Sequence, residues 1–359
     1  MSSKPTPLTI RTSPHLKKAL TVPQIMAYVV LALMPVCAWS VWQFGISALA
    51  LIIVTTLSCL ATEALFNSIA GKASSPMESL RDYSAVITGL LLALTLPPSF
   101  PLWMAAVAGF VAIALGKALF GGLGQNPFNP ALLGRAFVQA AFPVSITSWT
   151  PNLLPERFTS FIPSSIAMPF MSPADSSGWI AAQIDGVSSA TPLTLFKSEQ
   201  VLTSTSDLMY GMVSGSAGET AGLLILVCGI FLVAKGIMSW KIPTAVLGGA
   251  MLTALPFWIA NPEIYPSPLF VVFSGGLMLA AVFMATDMVG TPLTPKGIWI
   301  YGLVIGFVTV IIRLFGGLPE GAMYAVLLGN ALAPLIDSVT QPRVFGTQLK
   351  SPLQNKEEA

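Results

Sequence analysis

Long apolar runs separated by short polar joints occupy most of the chain. A membrane-crossing helix needs roughly 20 largely apolar residues, fewer where it is broken or partly buried in protein. On that scale the pattern predicts ten spans, over residues 23–43, 46–69, 84–98, 102–119, 130–146, 220–236, 242–260, 268–286, 298–314 and 321–337. Three are irregular. The apolar run of the third stops at Pro97-Pro98. The fifth carries Arg135 and begins in the Pro/Asn-rich GQNPFNPAL, and the eighth loses its pattern at ATDMVGTPLTP.

The longest polar interval, 147–219, divides the spans into five and five. Ten crossings put both termini on one side of the bilayer. That side receives fourteen of the 17 Lys and Arg residues, and only Arg157, Lys197 and Arg313 fall on the other. Basic residues accumulate in cytoplasmic loops, so the bias predicts cytoplasmic termini and a periplasmic 147–219 interval. The expected organisation is a cytoplasmic segment 1–22, a first five-helix unit 23–146, the periplasmic interval 147–219, a second unit 220–337 and a cytoplasmic tail 338–359.

The two units share a spacing. FGGL occurs at 120–123 and again at 315–318, a shift of 195, and at that shift Leu132-Leu133-Gly134 meets Leu327-Leu328-Gly329 and Pro97 meets Pro292. An odd number of spans separates the copies, so they run in opposite directions through the membrane. The predicted fold is therefore an all-α integral membrane protein of about ten transmembrane helices, built as two inverted five-helix repeats with broken or re-entrant helices. In such folds binding sites form where the broken helices of the two halves meet.

Composition supports the class and removes others. The chain is 54% hydrophobic and 9% charged, against about 25% charged in a soluble domain. Its three cysteines sit in apolar runs without CxxC spacing, and His15 is its only histidine, so neither a zinc site nor a disulfide framework is expected. No metal site and no haem or iron–sulfur ligand set is predicted. The dispersed net charge of +2 does not suit nucleic acid, and the polar first 22 residues do not read as a cleaved signal peptide. An electron carrier, if there is one, is organic and held by hydroxyls, amides and backbone.

Three stretches offer such groups. IDGVSSATPL, 184–193, presents Ser188, Ser189, Thr191 and Thr194 as attachment hydroxyls. In GGLGQNPFNPALLGRAF, 121–137, Asn126 and Asn129 are amides three residues apart. They either line a cavity, where a carboxamide suits the imide edge of a flat heterocycle, or cap a helix and hold a re-entrant turn. SGSAGET, 214–220, enters the sixth span with glycines whose free N–H groups attract phosphate, unless Glu219 serves that helix end instead. Glu63, inside the second span, is either an ion-path carboxylate or the structural partner of a neighbouring helix. Asp287 and Asp337 lie near cytoplasmic span ends.

DYSAVITGLLLALTLPP (82–98), FGGLGQNPFNPALLGRAF (120–137), DGVSSATPL (185–193) and GSAGET (215–220) resemble the D subunits of Rnf complexes. Those complexes are ion-translocating ferredoxin:NAD oxidoreductases of bacterial inner membranes, and their D subunits are homologous to the B subunit of the sodium-pumping NADH:quinone reductase. The resemblance covers about residues 20–340. It implies FMN joined through its phosphate to a threonine in an Asp-x-x-Ser-Gly-Ala-Thr motif. Asp185, Ser188, Ala190 and Thr191 match that motif, which makes Thr191 the attachment residue, with Ser189 where Gly is usual. The resemblance further implies a non-covalent riboflavin near Asn126, Asn129 and Thr88. Expected partners are a flavin transferase, a periplasmic-side flavoprotein subunit, the other membrane subunits and lipid. Electrons would pass from the outer flavin to the inner one, coupled to Na⁺ or H⁺ movement, with no complete reaction on this chain alone. The competing class is a small-solute channel or transporter of the urea- and ammonium-channel type, since a fold does not fix function.

Overall fold

The computed structural model describes residues 20–70, 79–171, 173–183 and 190–342. Among these residues the structure is helical, with no strand. The helices follow the apolar runs closely: α1 Val22–Phe44, α2 Ile46–Ala70, α3 Ser84–Thr95, α4 Leu102–Ile113 continued by the wide turn Ala114–Ala118, and α5 Pro130–Ala141. After the polar interval, which contains α6 Pro192–Glu199, come α7 Gly222–Ala234, α8 Lys241–Ala260 and α9 Pro268–Phe273. The chain finishes with α10 Leu277–Leu279 continued by a second wide turn Ala280–Met284, α11 Pro295–Phe315 and α12 Ala322–Thr340.

Five of these, α1, α2, α8, α11 and α12, are long and apolar enough to cross a membrane. The twelve residues of α3 reach only about 18 Å at 1.5 Å per residue, short of the ~30 Å hydrocarbon layer. Large apolar side chains such as Leu57, Ile230 and Leu252 face outwards. An exposed apolar surface of that extent belongs in lipid or against partners, and the chain is a multi-pass membrane protein.

Element spacing recurs between the halves. Helix α2 begins at 46 and α8 at 241, a shift of 195, and α4 and α11 begin at 102 and 295. The packing recurs with it: α2 lies on α3 and α4, α8 on α9 and α11, α4 on α5, and α11 on α12. Small residues permit the closest of these contacts. A side chain at Gly306 of α11 would press into the backbone of α8, with Ala250 N 2.5 Å from the added carbon. Such small-residue contacts let helices approach where no hydrophobic force drives them together.

Two features go beyond the sequence reading. The eighth span leaves its helix at Ala285, as expected from ATDMVGTPLTP, and it is broken a second time at Ser274-Gly275-Gly276 between α9 and α10, where Gly275 takes φ +62°. The polar interval, for its part, is not a free loop over its described residues. Arg157 Nε donates to Trp42 O at 2.9 Å and Ile46 N to Arg157 O at 2.9 Å, which pins the interval to the α1–α2 turn. Leu193, Leu208 and Phe270 form an apolar cluster that seats α6 against α9.

Both FGGL copies close the helix before them. After α4, Gly122 N–H donates to Lys117 O; after α11, the Gly316 and Leu318 carbonyls accept from Lys197 Nζ on α6. Asp337, which the sequence places only near a span end, accepts from Leu293 N and Thr294 N and so caps α11 from α12. Cys37, Cys59 and Cys228 are buried free thiols.

Candidate functional site

The wide turns in α4 and α10 come from backbone bonds that reach five residues back: Leu119 N to Ala114 O at 3.0 Å, and Ala285 N to Ala280 O at 2.7 Å. Such turns are rare and often mark functional positions. Both border one cavity, with about 830 Å³ of empty space when the open solvent at its mouth is included. Lys117 comes from the first wide turn, and Val282 and Phe283 from the second.

Thr88, Asn126 and Asn129 all line this cavity. The structure therefore brings together three residues that the sequence analysis named from two separate segments. Ile87 and Leu91 of α3, Val29 of α1 and Met238 supply apolar walls, a mixture suited to a flat, partly polar ring system.

The asparagines also have structural roles. Asn129 is the N-cap of α5: its Oδ1 accepts from Ala131 N at 3.0 Å and Leu132 N at 3.3 Å. Its Nδ2 donates to Met284 O at 3.3 Å and its backbone N–H to Asn330 Oδ1 at 3.3 Å, which ties α5 to the second half. Asn126 Nδ2 donates to Phe128 O at 3.1 Å. The two alternatives left open by the sequence thus both hold: the asparagines cap and brace the re-entrant turn, and they line a cavity. A carboxamide nitrogen carries two N–H groups, so each retains bonding capacity towards a ligand. Thr88 donates to Ser84 O at 3.0 Å and keeps its hydroxyl lone pairs.

Three residues that line or border the cavity escaped the sequence reading of this site. Lys117 is buried and donates to Glu63 Oε1 at 2.6 Å and to Ser84 Oγ at 2.5 Å. Ser84 in turn donates its backbone N–H and hydroxyl to Asp82. Glu63 therefore has a structural partner, and that partner faces the cavity. Asp287, treated as an interfacial carboxylate, sits in the lining. The available signal was a lysine in the apolar run ALGKALF opposite a glutamate in another apolar run.

Thr191 lies elsewhere, at the N-cap of α6. Its Oγ1 accepts from Thr194 N at 3.2 Å and is 2.9 Å from Thr194 Oγ1. The side chain is buried, at 4% exposure. Ala190 is described, whereas Asp185, Ser188 and Ser189 lie outside the described residues. A phosphodiester on Thr191 would stand at the N-terminus of α6, where the helix dipole favours an anion. Attachment requires the side chain to leave its contact with Thr194. On the same helix, burial lowers the pKa of the Lys197 ammonium.

The glycine-rich stretch 214–220 is not an open anion cradle. Ala217 N donates to Leu96 O at 3.0 Å and Gly218 N to Leu94 O at 2.7 Å, while Ser216 N donates to Glu219 Oε2 at 3.2 Å. The N–H groups that would meet a phosphate are taken up by the broken end of α3 and by Glu219. Gly218 is required there, because a side chain would collide with Leu94 Cβ at 2.7 Å.

A multi-pass helical protein with two interrupted helices and an amide-lined cavity between its halves defines the class. Within that class, the chain belongs to the NQR2, RnfD, RnfE family, whose profile matches residues 9–346. Over 348 residues it is 40% identical to the D subunit of the Na⁺-translocating ferredoxin:NAD⁺ oxidoreductase complex of Acetobacterium woodii, covering 96% of this chain and 97% of that one. Over 350 residues it is 37% identical to the D subunit of the proton-translocating ferredoxin:NAD⁺ oxidoreductase complex of Clostridium ljungdahlii, covering 95% and 96%. The D subunit of the ion-translocating oxidoreductase complex of Alcanivorax borkumensis is 37% identical over 342 residues, covering 93% and 96%. Relatives named for different ions match almost equally well, so overall likeness does not select the ion.

Proposed function

We propose that this protein is the flavin-carrying membrane subunit of an ion-translocating electron-transport complex of the ferredoxin:NAD oxidoreductase type. It would lie in a bacterial inner membrane as ten spans in two inverted repeats, with cytoplasmic termini and the 147–219 interval outside. Thr191 carries FMN as a phosphoester, and the cavity of Thr88, Asn126 and Asn129 holds a second, non-covalent flavin, riboflavin. These flavins supply the redox chemistry; the chain supplies position, dielectric and hydrogen bonds. Its partners are the other subunits of the complex, including a periplasmic-side flavoprotein subunit, and a flavin transferase for maturation. The electron flow is coupled to Na⁺ or H⁺.

The observation that carries this reading is the convergence of Thr88, Asn126 and Asn129 on one cavity with apolar walls, in a member of this family. Carboxamides of Asn126 and Asn129 would bond the imide edge, with the Thr88 hydroxyl beside them, while the apolar walls exclude water from the ring faces.

The test is the protein co-expressed with a flavin transferase, run on a denaturing gel and viewed under ultraviolet light, with Thr191→Val and Thr194→Val alongside. The expected result is a fluorescent band lost only in Thr191→Val. A dark wild-type band, with the transferase active on another substrate, overturns the covalent assignment. The inner site is tested on Thr191→Val protein, from which acid should still release non-covalent flavin.

A further inference from the structure

Between Arg157 and Asp175 the polar interval carries no charge, and part of it folds inside out for a segment in water. Every exposed residue from 161 to 171 is apolar: Phe161, Ile166, Met168, Pro169, Phe170 and Met171. Phe170 is 94% exposed and Met168 69%. The polar side chains of the same stretch, Ser164 and Ser165, are buried. Ser164 Oγ donates to Ser99 O at 2.8 Å, and Ser165 Oγ to Ile162 O at 2.7 Å. A loop in water turns its hydroxyls out and its largest apolar groups in. The medium facing this stretch is therefore apolar.

The stretch is held at the rim of the transmembrane helices. Ile162 N–H donates to Ser47 Oγ at 3.0 Å, at the start of α2, and Ser99 lies on the turn between α3 and α4. The helices beneath that turn are short. At 1.5 Å per residue, α3 reaches about 18 Å and α4 with its wide turn about 25 Å, against a hydrocarbon layer of ~30 Å. The stretch stacks on their junction, where apolar thickness is missing. An aromatic path makes it continuous with the outward-facing apolar surface. The Phe170 ring lies 5.6 Å from that of Trp103 at the start of α4, and Trp103 lies 5.4 Å from Phe142 at the end of α5. Beyond Phe142, Val144 is 75% exposed. Tryptophan is enriched at the membrane–water boundary.

Irregular backbone is costly in the hydrocarbon layer, because no water meets its N–H groups. Here Pro163 and Pro169 have none, and the N–H groups of Ser165, Ala167 and Met171 donate to carbonyls within the stretch. That backbone suits the boundary between headgroups and acyl chains, where apolar faces sink about 5–10 Å, and not the bilayer centre.

We propose that residues 161–171 bind phospholipid directly, immersing Ile166, Met168, Phe170 and Met171 among the acyl chains of the leaflet on the side of the polar interval. Without charge of its own, the stretch selects acyl chains and no particular headgroup. It moors the interval that contains Thr191 to the bilayer surface. The assignment uses only which residues face outwards, and it rests neither on a flavin nor on which side of the membrane the interval occupies.

Nitroxide scanning of the full chain tests it, in lipid nanodiscs alone and purified with its native partners. Phe170→Cys, Met168→Cys and Ile166→Cys carry the label in turn, with the exposed Thr159→Cys as the control beside the charged Glu156 and Arg157. The native cysteines are buried, and labelled wild type gives their background. Molecular oxygen concentrates among acyl chains, whereas a nickel chelate stays in water. The three labels are expected to collide several-fold more often with oxygen than with nickel, and the label at 159 the reverse. Nickel exceeding oxygen at 168 and 170 places the stretch in water and overturns the proposal. Labels shielded from both reagents show that protein covers the stretch, a second copy when the chain is alone or another subunit when it is not, and that result overturns it too. Phe170 and Met168 are so exposed that their replacement removes little packing.

Discussion

Lys117 Nζ sits 2.6 Å from Glu63 Oε1, and both side chains are almost wholly buried, so α2 and the wide turn of α4 are joined by an ion pair beside the cavity. Breaking a buried pair by removing one partner costs about 3–5 kcal/mol, whereas replacing both with apolar groups is often neutral. Glu63→Gln is therefore expected to lower thermal stability markedly, and the double variant Glu63→Met with Lys117→Met to recover most of it. The double variant is still expected to lose non-covalent flavin, because Lys117 lines the site. Melting curves and the flavin-to-protein ratio check the two halves of this prediction separately.

Asn129 has two duties that substitution can divide. Serine can supply the capping oxygen but has no counterpart to Nδ2. Asn129→Ser should keep the stability of α5 and reduce non-covalent flavin several-fold. Asn129→Ala should lose the flavin and also about 0.5–2 kcal/mol of stability with the cap. Equal stability of the two variants would show that the cap contributes little.

Gly306 faces the backbone of α8, which cannot yield as a flexible side chain can. Gly306→Leu is expected to separate α8 from α11, costing about 1–3 kcal/mol or more through overpacking, with a lower melting temperature in detergent. Gly317 has open space around it, so Gly317→Ala is the control and should melt as the wild type does.

Asp337 accepts three backbone hydrogen bonds at the start of α11. Asp337→Ala removes a cap and leaves two N–H donors, Leu293 and Thr294, without it. A loss of roughly 1 kcal/mol is expected, together with faster hydrogen exchange at residues 293 and 294 by mass spectrometry. Exchange unchanged at those amides would mean that water already replaces the carboxylate.

Helix positions were legible because lipid-facing and buried residues are both apolar in a membrane protein, which leaves the run length as the signal. The same property hid the Ser274-Gly275-Gly276 break, flanked by VVF and LML, since nothing strongly polar punctuates it. It also hid the pairing of Lys117 and Arg135, charges within apolar runs that read equally well as interfacial anchors. Their partners, Glu63 and Glu320, are 54 and 185 residues away, a distance that periodicity does not bridge. Asn126 and Asn129 stood out as paired amides in a Pro/Asn-rich stretch and the family resemblance added Thr88, whereas the place of Asp287 and Ser84 beside them needed three dimensions.

Lys197 on α6 is moored to the carbonyls of Gly316 and Leu318, on the same short loop that carries Glu320. Thr191 opens that helix six residues earlier. Eight residues of helix thus connect the Thr191 position to the loop that bears Glu320, so a variant that frees Lys197 alters both ends of that connection.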